Sequence, residues 1–457
     1  MRTRLSVWAL TQIALLPAIE AASSPPLPDP QWGTADSTAY VPFDLFSAQS
    51  SDGATSALVL PDGRLVMAGK AQVDSGFNAD LAITRVLATT GAPDPSFGGG
   101  DGRINLNLVP SSYVQISRSD DGKLWYGAIQ TQPSAVIGRL FENGTVDNSF
   151  DFDGRRFLSA TVFLDAAASF ESAPRILPLP DGKALVVASP NRQAAPVRIC
   201  VGVLRLNADG STDPSFAAGA GRVCEAPVYD VLTAAVGFDI VRLADGRLLV
   251  AAAALHSGGS SFDMAVLRLS ADGIRDASFG IDGWAFVPFD QGGNLIDVGS
   301  ALAIDNLGRI VVAGRANLPS STVAAVARLT ANGQIDTTFG QQGRVLIHRS
   351  SLPLDTYLDA YSVAILPDQR IIVGGVSNAG TGFTAELTGN GAQDPTFGSE
   401  GVFDVLTSTS ERTLVRDDYV YSVGTGASAA QPGNSDFTAV RRILPLFRSG
   451  FEALDAP

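Results

Sequence analysis

A short phrase of Asp, Ser or Thr, Phe and Gly recurs along this chain and restricts its fold more than any other feature. The clearest copy is Asp94-Pro95-Ser96-Phe97-Gly98, which is followed by Gly102-Arg103. With a degenerate first copy, the aromatic residues of the phrase are Trp32, Phe97, Phe150, Phe216, Phe279, Phe339 and Phe397. They are 65, 53, 66, 63, 60 and 58 residues apart. A period this regular indicates a repeat architecture.

Each repeat presents the same order of apolar segments and turns. In the first repeat, residues 57–60 precede the turn Pro61-Asp62-Gly63, and a strongly apolar run follows over residues 64–69. A variable loop leads to a third apolar segment, 81–87, and the recurring phrase leads into a fourth, 103–108. Asp-Gly between apolar runs is a strong hairpin signal, because Gly adopts positive φ without steric cost. The sequence therefore predicts four antiparallel strands per repeat.

The number of repeats predicts how the chain closes. Runs such as 65–68 are apolar on both faces and need cover on both sides, which blades around an axis supply and an open sheet does not. Six complete repeats extend from about residue 48 to residue 405, and three more strand-like segments without a following phrase remain at the C-terminus. The N-terminus supplies that phrase at residues 29–33 and a fourth strand at residues 38–43. We therefore predict an all-β fold, a seven-bladed β-propeller of four-stranded antiparallel blades, with the last blade closed by an N-terminal strand.

The first 22 residues have the pattern of an export signal. Arg2 and Arg4 precede an apolar stretch over residues 5–19, and small residues follow near the expected cleavage point. The stretch is too short and too interrupted to span a membrane, and no other apolar run approaches the required length. We therefore predict a secreted, periplasmic or cell-surface protein with a signal peptide (1–22), a single propeller domain (23–445) and a C-terminal tail (446–457).

The phrases Asp-Gly-Arg/Lys before an apolar run, Ala-Val-x-Arg-Leu-x-Ala-Asp-Gly, and Asp-Pro-Ser-Phe-Gly recur in this order. Together they resemble the Delta-60 repeat family from Asp29 to about Ile443. The resemblance implies an exported bacterial propeller and implies no reaction. The chain departs from the pattern at residues 150–152 and 216–217, where a Gly is lost, and in the degenerate last repeat. Residues 446–452 resemble a tail of exported proteins of some Gram-negative bacteria, which is either a sorting or display signal or an unstructured terminus.

The repeated Asp and Phe residues are predicted to be structural. An Asp followed two residues later by Ser or Thr can bond the local backbone and fix a turn, and the Phe then fills an apolar slot between strands. Recurrence in every copy favours architecture over catalysis or metal binding, because a catalytic residue is needed once. These residues are Asp94, Phe97, Asp147, Phe150, Asp213, Phe216, Asp276, Phe279, Asp336, Phe339, Asp394 and Phe397.

Arginines recur in the third segment of the repeats, and Glu386 interrupts the series. We expect each Arg to pair with the Asp of its phrase and to join the third and fourth strands. The alternative is an array that faces a ligand. The arginines are Arg85, Arg139, Arg205, Arg268, Arg328 and Arg442.

The chain has two Cys residues, Cys200 and Cys224. They fall in the third and fourth segments of one repeat, which are expected to be neighbouring strands. In an oxidising compartment such a pair is expected to form a disulfide, and two separate buried thiols are the alternative.

Charge and residue spacing argue against several other functions. The net charge of −14 makes nucleic acid an unsuitable partner. Asp147, Asp151 and Asp153 offer carboxylates for calcium but fit no complete calcium motif, so we predict no cofactor, with calcium at this loop as the alternative. His256 and His348 are the only His residues and lie in different repeats, which argues against zinc. No Gly-x-Ser-x-Gly elbow supports a Ser-His-Asp triad.

The variable connections carry the functional hypothesis. In a propeller the first-to-second and third-to-fourth connections share one face, and here these are the Asp-Gly hairpins and the recurring phrase. The other connections share the opposite face, and variable loops on a rigid scaffold commonly carry function. These connections are 70–80, 159–172, 189–196, 255–262, 288–297 and 348–359.

Two functions remain open from the sequence. The first is a non-enzymatic, monomeric propeller that binds a protein or glycan on the variable face. The second is a hydrolase or lyase with an acidic site at the channel mouth, and its candidate residues are Asp290, Asp297, Asp355 and Asp359. Because the fold hosts both, the discriminating observation is whether carboxylates and a His converge in the mouth.

Overall fold

The computed structural model describes residues 26–34, 36–45, 51–76, 78–111, 113–130, 134–193, 198–228, 232–256, 261–289, 296–319, 321–348, 357–377, 381–405, 409–427 and 434–444. The predicted signal peptide and C-terminal tail lie outside these ranges. Within them, no helix has the length and apolar character needed to cross a membrane.

The first repeats each form one sheet. Two short N-terminal strands are β1 (Leu27–Pro28) and β2 (Thr38–Val41). Sheet 1 contains β3 (Gly53–Val59), β4 (Leu65–Gln72), β5 (Ala79–Val86) and β6 (Arg103–Asn105). Sheet 2 contains β7 (Gln115–Arg118), β8 (Leu124–Ile129), β9 (Ser134–Leu140) and β10 (Arg155–Ser159).

The third repeat carries an additional small sheet. A 3-10 turn (Ala160–Val162) and β11 (Ser169–Phe170) precede β12 (Arg175–Pro178) and β13 (Ala184–Ala188). Then come β14 (Pro190–Arg192), β15 (Arg198–Ile199), β16 (Val201–Leu206), a second 3-10 turn (Ala217–Gly219) and β17 (Arg222–Glu225). Strands β12, β13, β16 and β17 form sheet 3, while β11, β14 and β15 pair separately. Two of the predicted variable connections, 159–172 and 189–196, are thus partly strands.

The remaining repeats follow the plan of the first. Sheet 4 contains β18 (Leu232–Arg242), β19 (Leu248–His256), β20 (Phe262–Leu269) and β21 (Trp284–Val287). Sheet 5 contains β22 (Asp297–Ile304), β23 (Ile310–Asn317), β24 (Thr322–Leu329) and β25 (Arg344–Leu346). Sheet 6 contains β26 (Leu358–Ile365), β27 (Ile371–Ser377), β28 (Gly382–Leu387) and β29 (Val402–Val405). Sheet 7 contains β30 (Thr409–Arg416), β31 (Tyr419–Gly426) and β32 (Asp436–Ile443).

Within each of these sheets, strands that follow one another in the chain of the repeat pair antiparallel. The Asp-Gly turns join the first two strands as expected: Gly63 has a φ of +86°, and the backbone N–H of Arg64 donates to Asp62 Oδ1 at 3.1 Å. The predicted all-β fold built from four-stranded antiparallel sheets is confirmed.

Sheet 7 obtains its outer strand from the N-terminus. Strand β2 pairs with β32, with Thr38 opposite Val440 and Val41 opposite Phe437. Strand β1 also pairs with β32, with Leu27 opposite Ile443. The first strands of consecutive sheets contact one another, and β30 of sheet 7 contacts β3 of sheet 1.

The core is divided into apolar layers between neighbouring sheets. In β4, Leu65 and Met67 belong to the layer against sheet 7, while Val66 and Ala68 belong to the layer against sheet 2. This explains why the run is apolar on both faces. Complete burial of a large apolar side chain stabilises a fold by about 1.5–3 kcal/mol, so no sheet is expected to be stable without its neighbours.

The recurring phrase forms a unit that we call the clasp, defined by its Arg, Asp, Ser or Thr, and Phe. In sheet 1, Arg85 Nε donates to Asp94 Oδ2 at 2.7 Å, and the guanidinium carbon of Arg85 lies 4.9 Å from the centre of the buried Phe97 ring. The Ser96 backbone N–H and hydroxyl donate to Asp94 Oδ1 at 2.9 and 2.7 Å. The same Arg–Asp bond, at 2.7–2.8 Å, recurs in Arg139–Asp147, Arg205–Asp213, Arg268–Asp276 and Arg328–Asp336.

The clasp also reaches the next sheet, beyond the predicted bridge between third and fourth strands. Arg85 Nη1 donates to the carbonyl of Glu142 in sheet 2 at 2.5 Å. A Cβ atom at Gly144 would meet the Phe97 ring at 2.9 Å, so the turn of sheet 2 requires Gly there. The equivalent bonds run from Arg139 to Ala208, Arg205 to Ala271, Arg268 to Ala331 and Arg328 to Gly389.

The clasp arginine of sheet 7 is Arg441, and the prediction of Arg442 is wrong. Arg441 Nη2 lies 2.5 Å from Asp29 Oδ2, its guanidinium is 5.0 Å from a Trp32 ring, and Nη1 donates to the Ala88 carbonyl of sheet 1. Successive side chains of a strand point to opposite faces, so the neighbouring Arg442 lies instead over Phe403 of sheet 6.

In sheet 6 a Glu replaces the Arg of the clasp, while Asp394 keeps its bonds to Thr396. Glu386 stands at the arginine position, as the sequence indicated, and Arg370 Nη1 donates to Glu386 Oε2 at 2.9 Å. The cation of this sheet therefore comes from the Asp-Gln-Arg turn between its first two strands.

The clasp carboxylates are held in their ionised form. Burial alone would raise the pKa of Asp94, but hydrogen bonds from Ser96 and the cations Arg64 and Arg85 lower it to about 2. The pKa values of Asp147, Asp213, Asp276 and Asp336 are shifted in the same direction. Their stabilising contribution is therefore complete at neutral pH and is lost as the pH falls from about 4 towards 2.

Cys200 precedes β16 directly and forms a disulfide with Cys224 of β17, with the Cα atoms 5.4 Å apart. Closure of this bond in the cell stays a prediction, because it depends on an oxidising compartment.

We expect Arg268→Leu to lower the free energy of unfolding by about 3 kcal/mol, because the substitution leaves Asp276 without its buried charge partner. Denaturant or thermal unfolding measures the loss. The matched control is Arg247→Leu in the same sheet, which removes a largely exposed pair with Asp245 and a longer contact of 3.6 Å with Asp276 but leaves the Arg268–Asp276 bond in place. The control should lose less than about 1 kcal/mol. Equal losses in the two variants would contradict a stabilising role for the clasp.

We expect Cys200→Ser to lower the free energy of unfolding by about 3 kcal/mol, because the disulfide restricts the unfolded chain. A reductant should destabilise the exported wild-type protein and leave the variant unchanged. A wild-type protein that is insensitive to reductant would mean that the two thiols stay separate.

Candidate functional site

A pocket of about 340 Å³ receives side chains from every sheet or from the segment that leads into it, and we call it the central pocket. The lining includes Thr55 (sheet 1), Gln115 (sheet 2), Ser172 (ahead of sheet 3), Phe238 (sheet 4), Ser300 (sheet 5), Tyr361 (sheet 6) and Arg412 (sheet 7). These residues lie far apart in the sequence and meet only through the packing of the sheets.

The pocket lies at the end of the sheets that carries the variable connections. Thr55, Gln115 and Ser300 lie near the starts of the first strands β3, β7 and β22. Arg315 lies near the end of the second strand β23, which is the same end of its sheet. The Asp-Gly hairpins and the clasps occupy the opposite end.

Arg315 is held by a buried carboxylate beneath the pocket. Its Nη1 lies 2.5 Å from Asp359 Oδ2, and its side chain is 33% exposed while that of Asp359 is fully buried. The hydroxyls of Tyr357 and Tyr361 donate to the same oxygen at 2.9 and 3.2 Å. Attraction to Asp359 outweighs the effect of burial and raises the pKa of Arg315. Among the described residues, Nε and Nη2 of Arg315 make no hydrogen bond.

Arg412 is held mainly by neutral groups. Its Nη1 donates to the Tyr361 carbonyl at 2.8 Å, and its Nη2 donates to Gln115 Oε1 at 3.4 Å. No carboxylate of the described ranges lies within ion-pair distance of this guanidinium. Arg315 and Arg412 are therefore linked through Tyr361, and each keeps donors that the described part of the chain does not use.

A second cavity of about 230 Å³ shares Arg412 with the central pocket. Its Arg175 donates from Nε to Asp239 Oδ1 at 2.8 Å and from Nη1 to Gln115 Oε1 at 2.5 Å. Asp239 also accepts a hydrogen bond from the backbone N–H of Leu302 at 3.2 Å. The charges of Arg175 and Asp239 thus balance each other, and Arg175 fixes the amide of Gln115, which lines the central pocket.

The rim of the central pocket combines a carboxylate with an aromatic ring. Glu171 is exposed, and its Oε1 accepts from Asn191 Nδ2 at 2.6 Å and from the Ser169 hydroxyl at 3.3 Å. The small additional sheet places these groups, since Ser169 belongs to β11 and Asn191 to β14. Across the rim, Tyr113 is 49% exposed. The pocket therefore presents guanidinium, carboxylate and aromatic groups to one volume.

The acidic residues predicted for a catalytic mouth do not line this pocket where the structure describes them. Asp297 Oδ2 accepts the backbone N–H of Phe289 at 2.7 Å, just as Asp52 Oδ2 accepts that of Phe43 at 3.0 Å. Asp359 is buried beneath Arg315. Asp290 and Asp355 lie outside the described residues.

The other candidate groups are also separate from the central pocket. Asp147 belongs to a clasp, and Asp153 Oδ1 accepts the N–H of Arg155 at 3.1 Å. His348 lies in a different pocket, beside Gln393. In the described ranges, no three His, Cys, Asp or Glu side chains are grouped so that they could hold a metal ion.

Three segments of the chain match a family model described as "Domain of unknown function (DUF5122) beta-propeller", over residues 179–216, 243–279 and 308–339. These repeats are β-propeller repeats. Each matched segment runs from the end of the first strand to the Phe of the clasp in sheets 3, 4 and 5. The β-propeller repeat thus includes the clasp, whereas the central pocket depends on residues outside the recurring phrase.

Similar solved structures include the polysaccharide lyase Uly1, with a TM-score of 0.47 and 12% identity over 86% of this chain and 90% of that chain. A protein of unknown function from Dyadobacter fermentans has a TM-score of 0.41 and 12% identity over 89% and 98%. The GH93 alpha-L-arabinofuranosidase of Fusarium graminearum has a TM-score of 0.38 and 12% identity over 89% and 96%. No curated protein matches the chain. One fold serves many functions, so the activity of a protein with a similar fold does not determine that of this chain.

Gln115, Arg315 and Arg412 are not among the residues that the sequence predicted for a site. The sequence held one signal for Arg315. This residue directly follows the Val-Ala-Gly run of β23, as Lys70 follows Met-Ala-Gly in β4. Arg412 had no comparable signal, because the last repeat is too degenerate to be aligned with the others at this position.

Asp436 lies at the same end of the sheets, where sheet 7 meets sheet 1. Burial, followed by the charges of Asp44 and Asp52, raises its pKa to about 6, although Arg103 acts in the opposite direction. Asn434 Nδ2 donates to both Asp436 Oδ1 and Asp44 Oδ1 at 3.2 Å. The protonated form is therefore favoured by folding, and stability is lost as the pH rises through about 6.

We expect Asp436→Asn to raise the free energy of unfolding by about 2 kcal/mol at about pH 8, because the amide removes a buried charge. At about pH 4 the variant and the wild type should be alike, since the carboxyl is then protonated. Urea unfolding at the two pH values tests this. The control Asp417→Asn removes the same charge from a largely exposed side chain and should give no such gain. A gain that is equal at both pH values would rule out the charge as its cause.

Proposed function

We propose that this chain is a non-enzymatic binding scaffold, a closed seven-bladed β-propeller whose ligand occupies the central pocket. In this proposal sheets 1 to 7 are the blades, and the ligand is a protein or glycan that enters from the face with the variable connections. The repeats are of the Delta-60 type, and the protein acts outside the cytoplasm as a monomer at the cell surface, in the periplasm or in the medium.

Two contacts support the closed ring. The apolar layer between sheets 7 and 1 contains Trp32, Phe43 and Phe437 together with Met67, as the layers between other sheets contain their own aromatic residues. Arg441 extends the series of clasps across the same boundary, since it donates to the Ala88 carbonyl. Both contacts require that the last sheet packs against the first.

The central pocket is the single observation that carries the binding function. Its volume is within the usual range for ligand sites, and it combines partly exposed aromatic rings with polar groups in fixed positions. The polar groups are fixed because Asp359, Gln115 and the Tyr361 carbonyl hold the two arginines.

The same groups favour binding over hydrolysis. A glycosidase or lyase needs a carboxylate, Tyr or His that is positioned to move a proton beside the scissile bond. Of the acidic candidates that the structure describes, Asp297 serves a backbone N–H and Asp359 serves Arg315. Among the lining residues that the structure describes, Glu171 is the one carboxylate and it is exposed at the rim, while the hydroxyl of Tyr361 donates to Asp359.

A bulky substitution in the pocket tests this function. A glycan array and a pull-down with labelled mature protein identify a ligand for the wild type. We expect Ser300→Trp to abolish its binding at an unchanged melting temperature, because the indole fills the pocket. The matched control is Leu307→Trp at the opposite end of sheet 5, where Leu307 is 69% exposed. Binding that survives Ser300→Trp, or that is lost equally in the control, would place the ligand elsewhere.

A further inference from the structure

The unused donors of Arg315 and Arg412 define which chemistry suits the central pocket. A guanidinium has five N–H donors and cannot lose its charge in a protein. In a clasp each of the three guanidinium nitrogens donates, as Arg85 shows with Asp94, Glu142 and Ser96. Among the described residues, Arg315 uses Nη1 alone and Arg412 uses Nη1 and a long bond from Nη2. Two arginines with remaining donors in one pocket match a carboxylate, which accepts such bonds in pairs.

We propose that the ligand of the central pocket is a saccharide that carries a carboxylate, a uronic acid of an acidic glycan, and this rests on the proposed binding function. Its carboxylate lies between Arg315 and Arg412. The charge complementarity is local, because the chain as a whole carries a net charge of −14 and repels anions at long range. An anion therefore needs this built site to bind at all.

The rim separates an acidic saccharide from an acidic peptide. Glu171 is exposed and accepts hydrogen bonds, so it suits the hydroxyl groups of a sugar, which a peptide rich in Glu or Asp lacks. The exposed ring of Tyr113 and the partly exposed ring of Phe238 offer flat apolar faces to the C–H face of a sugar ring. A compact pocket also suits one or two sugar rings better than an extended peptide strand.

The experiment compares a short oligogalacturonate with its methyl ester, which keeps every hydroxyl and loses the charge. We expect the acid form to bind the mature protein and the ester to bind at least about tenfold more weakly, as measured by calorimetry. Arg412→Gln should cost about the same factor for the acid form and leave the ester unchanged. Arg412→Lys retains the charge and should recover part of the affinity. Arg247→Gln, on the opposite end of the sheets, should have no effect.

Further measurements distinguish a wrong ligand class from a failure of the proposed binding function. Glu171→Gln should weaken the ester, because it acts on the hydroxyls, and should weaken the acid form less, because it also removes a like charge from the rim. An ester that binds as tightly as the acid, or a polyglutamate peptide that competes as well as the saccharide, would overturn the proposal. If the array instead yields a neutral ligand whose binding Ser300→Trp abolishes, the pocket binds and the carboxylate assignment is wrong. If Ser300→Trp affects no binding at all, the proposed function itself fails.

Discussion

The clasp between neighbouring sheets is the interaction on which the rest of the structure depends. Each sheet is apolar on both faces, so it requires a neighbour on each side, but apolar contact alone does not fix how two sheets are aligned. The clasp adds direction, because Arg85 must reach Asp94 in its own sheet and the Glu142 carbonyl in the next. The Phe97 ring fits only where the neighbouring turn has Gly144. A buried charge with fixed partners thus specifies the register that hydrophobic burial leaves open.

All clasps lie at one end of the sheets, so the connections at the other end are not constrained by them. The turns at the clasp end cannot vary, since their carbonyls and glycines serve the neighbouring sheet. The connections at the pocket end are not part of the clasps, so they are free to differ in length. Two of them form the small sheet that holds Glu171. The constant turns at one end of the sheets and the variable connections around the pocket at the other end therefore both follow from the position of the clasps.

The sequence predicted the features that recur in every repeat and missed those that depend on single residues or on contacts between sheets. Asp-Gly turns and runs apolar on both faces were sufficient for the sheets and for the structural role of Asp94 and Phe97. The reach of the clasp into the next sheet was hidden because its acceptor is a backbone carbonyl, which no side-chain pattern reveals. Arg441 and Arg442 are adjacent, and only the pairing with β2 decides which one faces Asp29. The pocket is drawn from single residues of different repeats, and residue type alone did not tell that Asp297 serves a backbone N–H.

Arginine thus has two roles in this fold, one in the clasps and one in the central pocket. The roles differ in how many of the guanidinium donors already have partners within the protein. A clasp arginine is enclosed by its own carboxylate, a carbonyl and a hydroxyl, so it contributes to stability and has little left for a ligand. Arg315 is bound on one side by the buried Asp359, which fixes its position and leaves the other side for the pocket. Arg412 is fixed by the Tyr361 carbonyl, and Tyr361 also donates to Asp359. Because both arginines are positioned before a ligand arrives, binding costs less conformational entropy than it would with flexible side chains. In the proposed site, selectivity for a carboxylate would rest on the positions in which one tyrosine and one buried carboxylate hold the two arginines.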